Sequence, residues 1–147
     1  MKVREVMSTP VVVVQEEATL EEVARTMLDR RIGCAPVVNR EGLLVGVITE
    51  SDFAAREKGF PFSTFRAPQL LGQWISSDSV ERIYEAARTL QAREIMEPNV
   101  ITVTEDQTMN EAVILMFQHD INRIPVVRDG VPVGIVSRHD LLRLLIR

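Results

Sequence analysis

The sequence predicts an α+β fold made of two copies of one small unit, and three observations support this prediction. Residues 3–57 align with residues 92–147 with a single gap at Glu41. Each copy has a β-branched run and then a capping signal that opens an amphipathic helix. Each copy continues with a turn between two apolar runs and a second helix start. The predicted order is strand, helix, strand, strand, helix, twice over, and each unit is expected to bury its apolar face against the other.

The first strand and first helix of each unit are predicted from local patterns. Residues 11–14 and 100–103 consist of β-branched side chains, which favour strands. Thr19 with Glu22, and Thr108 with Glu111, match the capping box that opens a helix. Helical spacing predicts one buried face for each helix, formed by Leu20, Val23, Ala24, Met27 and Leu28 in the first unit and by Met109, Ala112, Val113, Met116 and Phe117 in the second.

A hairpin of two buried strands is predicted after each of these helices. The strands and their turns are, in chain order, residues 35–38, 39–42 and 43–48, then 126–127, 128–130 and 131–136. The last helix of each unit is predicted to begin at Thr49 and at Ser137.

Residues 58–91 belong to neither copy, and we predict an inserted linker there. Prolines and a glycine indicate a loop over residues 60–75, followed by a helix that begins at Asp78 or Ser79 and runs to about Gln91. The inner face of this helix is expected to hold Val80, Ile83, Tyr84 and Ala87. The segment holds five of the seven aromatic residues of the chain, namely Phe60, Phe62, Phe65, Trp74 and Tyr84. It either covers exposed core edges or forms a docking surface for a partner.

Composition excludes several classes of function. The net charge of −4, without a block of like charge, gives no support for binding nucleic acid. Apolar stretches are far shorter than the ~20 residues that span a bilayer, and no signal peptide is present, so we expect a soluble, cytoplasmic protein without membrane insertion. Cys34 is the only cysteine, which excludes an intrachain disulfide, and with only His119 and His139 a structural zinc site is not expected.

One motif suggests chemistry, and it occurs in both units. Residues 46–52 (Gly-Val-Ile-Thr-Glu-Ser-Asp) correspond to residues 134–140 (Gly-Ile-Val-Ser-Arg-His-Asp). A hydroxyl at a helix start, next to free backbone N–H groups, suits a phosphate, and a carboxylate three residues later suits a ribose diol. The same spacing also matches a capping box, and this structural interpretation stays open.

The ordered set of motifs, present twice, resembles a tandem pair of CBS domains, the regulatory module named after cystathionine β-synthase. The resemblance covers residues 1–57 as CBS domain 1 and 92–147 as CBS domain 2. It implies that the two units pack about a pseudo-twofold axis with their sheets facing each other. It also implies two clefts between the units, each of which can take an adenosine-type ligand.

The family pattern assigns residues to these clefts. The Thr/Ser-x-x-Asp segment of one repeat contacts phosphate and ribose, while the first strand and the segment before Pro-Val of the other repeat hold the base. Carried over, the first cleft joins Val12, Ile32 and Gly33 to Ser137 and Asp140, and the second joins Ile101, Ile121 and Asn122 to Thr49 and Asp52.

The two clefts are expected to differ in charge. The first carries Arg138 and His139 inside its motif, and Arg123 is expected to reach phosphate there. The second has Glu50 and Ser51 at the matching motif positions, and Cys34 where the other repeat has Arg123. Phosphate should therefore bind more tightly in the first cleft.

The resemblance implies a regulatory module that senses AMP, ADP or ATP, with an adenine nucleotide as ligand and no required cofactor. No catalytic triad, phosphate loop or metal cluster is visible, so no enzymatic activity is expected. Two alternatives stay open, namely a ligand-free dimerisation or docking module and a binder of S-adenosylmethionine or NAD. A homodimer and a separate effector protein are the expected macromolecular partners.

Overall fold

Two three-stranded sheets, one in each repeat, form the framework of the computed structural model, which describes residues 1–53 and 80–146. The strands are β1 (Val14–Gln15), β2 (Cys34–Val38), β3 (Leu44–Thr49), β4 (Val103–Thr104), β5 (Arg123–Arg128) and β6 (Val131–Ser137). In each sheet the middle strand pairs parallel with the short first strand and antiparallel with the third. The predicted α+β fold of two like units is confirmed.

The helices that begin at Leu20 and Met109 follow the caps that the sequence predicts, whereas the short helix Ala92–Ile95 was not predicted. The helices are α1 (Leu20–Arg30), α2 (Val80–Ala87), α3 (Ala92–Ile95) and α4 (Met109–His119). The backbone N–H groups of Glu22 and Glu111 donate to the hydroxyls of Thr19 and Thr108, each at 3.2 Å, so both capping boxes are confirmed. Within residues 1–53 and 80–146, no helix is long and apolar enough to cross a bilayer.

The predicted helix faces were wrong at one position in each repeat. Leu20, Val23 and Met27 of α1 are buried, but Leu28 is 78% exposed. Phe117, the matching residue of α4, is 80% exposed. Because successive helical residues are rotated by about 100°, the residue after a buried methionine points away from the sheet.

Several predicted element boundaries also need correction. The first strands start at Val14 and Val103, because only the last residues of each β-branched run pair with the middle strand. The segments after Thr49 and Ser137 are 3₁₀ helices, Glu50–Asp52 and Arg138–Leu145. The linker helix α2 already ends at Ala87, and Tyr84, 36% exposed, is not buried with Ile83 and Ala87.

Part of the predicted linker lies outside the residues that the structure describes. The proposed caps Asp78 and Ser79, the loop at residues 60–75, and the aromatic residues Phe60, Phe62, Phe65 and Trp74 lie outside the described residues, as does the side chain of Val80.

The two repeats exchange their first segments. Val3 and Val6, at the start of the first repeat, are buried in the hydrophobic core of the second. Ala92 and Ile95 of α3, at the start of the second repeat, are buried in the core of the first. Equivalent backbone hydrogen bonds fix both segments, from Val3 N to Gln107 O and from Ala92 N to Ala18 O, each 2.8 Å. The units that pack together therefore differ from the units that repeat in sequence.

This exchange explains the glycine that recurs in the motif. A Cβ on Gly134 would lie 2.9 Å from Met7 Sδ, and a Cβ on Gly46 would lie 2.7 Å from Met96 Cγ. Both methionines come from the exchanged segments, at equivalent positions. The glycine is thus required where a side chain of the other repeat crosses the strand, independently of any ligand.

Candidate functional site

A cavity of about 600 Å³ lies where the two repeats meet. One wall is the segment Thr49–Asp52 of the first repeat, and the opposite wall is the segment Asp120–Arg123 of the second. Val47 and the residues 95–97 that follow from α3 complete the lining. The volume lies within the range of small-molecule sites.

The Thr49 wall is held by its own hydrogen bonds. Thr49 N donates to Asp52 Oδ2 at 2.7 Å, and the hydroxyls of Thr49 and Ser51 lie 2.7 Å apart. In the second repeat, Ser137 N donates to Asp140 Oδ2 at 2.8 Å. The half of the capping box in which the carboxylate accepts from the backbone of the cap residue is therefore observed in both repeats, whereas neither the Thr49 nor the Ser137 side chain makes a capping hydrogen bond. These bonds fix the direction of each carboxylate.

The opposite wall of the cavity is formed by the residues that come directly after α4. Asp120 ends this helix in a left-handed conformation, with φ of 50°, and the chain then turns through Ile121 and Asn122 into β5. Asn122 O accepts from Arg138 N at 2.9 Å, and Gly33 O accepts from Glu50 N at 3.0 Å at the equivalent point of the first repeat. In each repeat the segment before the middle strand is thereby tied to the start of its own 3₁₀ helix.

Arg123 lies within reach of residues expected in both clefts. It was assigned to the first cleft with Ser137 and Asp140, yet it lines the cavity of Thr49 and Asp52. Its guanidinium reaches Gly33, where an added Cβ would lie 2.6 Å from Arg123 Nη2 and would also meet Glu50 Oε1. Arg123 therefore lines the Thr49 cavity and also reaches Gly33, a residue expected in the first cleft, so its assignment to the first cleft stays a prediction.

Cys34 lies beside this wall, but its thiol is unreactive. Burial raises the pKa of the Cys34 thiol to about 11, and the positive charge of Arg123 offsets only part of that effect. The thiol is 5% exposed and protonated at neutral pH, as expected for a small core residue rather than a nucleophile.

The structure unites most residues expected in the second cleft. Thr49, Asp52, Ile121 and Asn122 all line the cavity, whereas Ile101 is half-buried and does not.

Residues expected in the first cleft are distributed differently. Ile32 lines an apolar groove between the first repeat and α2, together with Leu28, Phe53 and Tyr84. Gly33 lies against Arg123 and Glu50, and Val12 is half-buried on the chain that leads into β1.

The motif residues of the first cleft lie in the second repeat. Ser137 is half-buried, and the Asp140 carboxylate is buried, with Oδ1 at 3.7 Å from Arg143 Nε. Arg138 and His139 are exposed, and Arg138 Nη2 lies 3.7 Å from Asp120 Oδ1.

Acidic side chains that sequence reasoning missed dominate the cavity. Glu97 and Asp120 join Glu50 and Asp52 in the lining, and Arg123 is the one cation among the described lining residues. Glu97 arrives with the exchanged segment, where its backbone pairs with Val47 at 2.9 and 3.0 Å. The repeat matches Met7 with Met96, but no local signal in the sequence shows that these segments pack against the other repeat.

Comparison with known proteins assigns the family. A family model described as the CBS domain matches residues 3–59 and 92–147. The chain belongs to the CBS-domain family. The two repeats are therefore CBS repeats, and the cavity lies between them.

Individual relatives agree with this assignment. The uncharacterized protein MJ1426 of Methanocaldococcus jannaschii is 34% identical, over 99% of this chain and 92% of that protein. The CBS domain of a CBS domain-containing membrane protein from Sphaerobacter thermophilus is 46% identical, with a TM-score of 0.75 over 99% of this chain and 88% of the other.

A third relative was solved with ligands. The CBS domain pair of protein MJ0100, in complex with 5′-methylthioadenosine and S-adenosyl-L-methionine, is 27% identical, with a TM-score of 0.69 over 99% of this chain and 95% of that one.

Proposed function

We propose that this chain is a regulatory module that binds an adenosine-type ligand in the cavity between its CBS repeats. The observation that carries the proposal is the meeting of Thr49 and Asp52 from one repeat with Ile121 and Asn122 from the other around one cavity. The complex of the MJ0100 pair with two adenosine compounds supports the same ligand class.

Each wall has a task that suits an adenosine. The Asp52 carboxylate, oriented by its bond from Thr49 N, can accept hydrogen bonds from the ribose hydroxyls. Ile121 and the apolar residues Val47 and Ile95 offer surface for the flat base. The Asn122 side chain offers both a donor and an acceptor for the base edge.

Regulation would follow from the position of the cavity. A ligand that contacts both repeats binds best to one relative orientation of them, so it shifts the population toward that orientation. A partner that distinguishes the two orientations would sense the ligand. We propose that this partner is a separate effector protein. We also propose a reducing, cytoplasmic setting, because it fits a single buried thiol.

The test compares two carboxylates that have the same capping role. Melting temperatures are measured for the wild type, Asp52→Asn and Asp140→Asn, with adenosine, AMP, ADP, ATP, NAD, 5′-methylthioadenosine and S-adenosylmethionine. A ligand at one hundred times its Kd stabilises by about 2.7 kcal/mol, which raises the Tm of a chain of this size by roughly 5–10 °C.

We expect the rise to be lost in Asp52→Asn and kept in Asp140→Asn. Equal loss in both variants would place the ligand elsewhere or in both clefts, including the one formed by Ser137 and Asp140. No rise with any compound would exclude the proposed ligand class.

A dimerisation module is the second candidate, and a specific observation favours it. Leu28 and Phe117 occupy equivalent positions on α1 and α4, and both are largely exposed, as is Ile114 at 46%. Apolar surface of this kind on helices is typical of protein contacts. If two copies pair through α4, Phe117→Glu should convert a dimer to a monomer in light scattering, while an unchanged mass would exclude this surface.

A further inference from the structure

We infer that the cavity selects adenosine compounds whose 5′ group is neutral or positively charged, and that it discriminates against adenine nucleotides that carry phosphate. This inference rests on the proposed function and names the ligand class of the same site. It departs from the sequence-based expectation that the clefts bind AMP, ADP or ATP, and it agrees with the expectation that phosphate binds less tightly in this cleft than in the first.

The first argument is the charge of the lining. Glu50, Asp52, Glu97 and Asp120 face one guanidinium, that of Arg123. Arg138 partly balances Asp120 from outside, with 3.7 Å between the guanidinium nitrogen and the carboxylate oxygen. The lining keeps an excess of negative charge, so a phosphate placed there would meet several carboxylates. Because Glu50, Glu97 and Asp120 are exposed, this repulsion is partly screened by water and weakens as salt is added.

The second argument is that the Arg123 guanidinium lies close to the Glu50 carboxylate. Its guanidinium and the Glu50 carboxylate flank the same point beside Gly33. A carboxylate that close lowers the attraction that Arg123 can exert on a phosphate. Arg123, the one cation among the lining residues that the structure describes, therefore does not create a positive pocket.

The third argument concerns the backbone groups at the Thr49 wall. A phosphate site at a helix start needs free N–H groups. Thr49 N is bonded to Asp52 Oδ2, and Glu50 N is bonded to Gly33 O. The 3₁₀ helix that follows is three residues long, and two of them are acidic. This wall suits a ligand that donates hydrogen bonds or carries positive charge.

The ligand class follows from these features. The ribose diol supplies donors to the carboxylates, and the base finds the apolar residues. A thioether or sulfonium group at the 5′ carbon meets carboxylates instead of anion-binding groups. S-adenosylmethionine, with a positive net charge, and 5′-methylthioadenosine, with none, are the two probes of this class.

The test is a charge series measured by titration calorimetry without divalent cations. The ligands are S-adenosylmethionine, 5′-methylthioadenosine, AMP and ATP, and the proteins are the wild type, Glu50→Gln, Glu97→Gln and the exposed control Glu41→Gln. On the wild type we expect S-adenosylmethionine to bind at least about tenfold more tightly than ATP, a difference of about 1.4 kcal/mol.

Removing a lining carboxylate should change the affinities for the cationic and the anionic ligands in opposite directions. In Glu50→Gln and Glu97→Gln, the affinity for S-adenosylmethionine should fall by roughly threefold or more, and the affinity for AMP and ATP should rise by a similar factor. The neutral 5′-methylthioadenosine should change by less than about twofold. Glu41→Gln should leave all four affinities unchanged.

The outcomes separate this inference from the proposed function. If AMP or ATP binds more tightly than 5′-methylthioadenosine and Asp52→Asn abolishes that binding, the site stands and the inference on charge is overturned. If the two carboxylate variants alter the neutral ligand as much as the charged ones, the inference also fails. If none of the four compounds binds, both fail together.

Discussion

Replacing Gly46 with alanine should destabilise the protein through a contact between the repeats. An added Cβ would lie 2.7 Å from Met96 Cγ and closer still to Met96 Sδ. Overpacking of this kind costs about 1–3 kcal/mol when neighbouring side chains must move. The expected fall in melting temperature is roughly 3–10 °C for a chain of this length.

The equivalent substitution in the other repeat supplies a comparison. At Gly134 the added Cβ would lie 2.9 Å from Met7 Sδ and 3.0 Å from the backbone oxygen of Ser8. That oxygen accepts from Ile135 N at 3.2 Å, so the backbone there cannot withdraw without losing a hydrogen bond. Gly134→Ala should therefore cost more than Gly46→Ala.

A double-mutant cycle identifies the cause of the destabilisation. Urea unfolding is followed for each glycine variant with and without truncation of its methionine. Met96→Ala should rescue Gly46→Ala by about 0.5–3 kcal/mol, the range for residues in contact. Met7→Ala should rescue Gly134→Ala less, because the Ser8 oxygen remains. Additive effects in both cycles would show that the glycines are required for a reason other than the crossing methionines.

Two further predictions concern ionisable groups. Because burial raises the pKa of Cys34 from 9.0 to about 11, its thiolate fraction at pH 8 should be about 100-fold lower than in the unfolded chain. Labelling of Cys34 with a thiol reagent should therefore be slow in buffer and fast in urea. Equal labelling rates in the two conditions would contradict the burial of this thiol. The Arg128 guanidinium lowers the pKa of the Glu105 carboxyl, with distances of 2.7 and 2.9 Å. Stability from this pair should be present above pH 4.5 and lost as the pH falls toward the lowered pKa, so Glu105→Gln should flatten the acid limb of a plot of melting temperature against pH, whereas an unchanged limb would contradict it.

Local signals predicted the elements whose stabilising contacts are near in sequence. The caps at Thr19 and Thr108 involve residues three positions apart, so a motif is enough to find them. The turn at Asp129 and Gly130 has positive φ at both residues, 53° and 80°, and its sequence is typical of a tight hairpin. Elements of this kind could be predicted because their geometry depends on a few consecutive residues.

Contacts between the repeats could not be predicted in this way. The burial of Val3 in the second core and of Ile95 in the first depends on packing against strands that are far away in the chain, which no periodicity encodes. The position of Arg123 depends on the direction of one long side chain between two walls that are both within reach. The charge of the cavity was missed for the same reason, because Glu97 enters it only through the exchanged segment.

The exchange of segments also explains why the site needs both repeats. Residues 92–97 first bury Ala92 and Ile95 in the core of the first repeat, and then pair with Val47 and line the cavity. A ligand in the cavity therefore contacts the segment that joins the two cores as well as both walls. Binding should stabilise this junction, so that both repeats unfold together at a higher temperature instead of one repeat gaining stability alone. A single repeat would lack both the exchanged segment and the opposite wall, and so it would have neither a complete core nor a complete site.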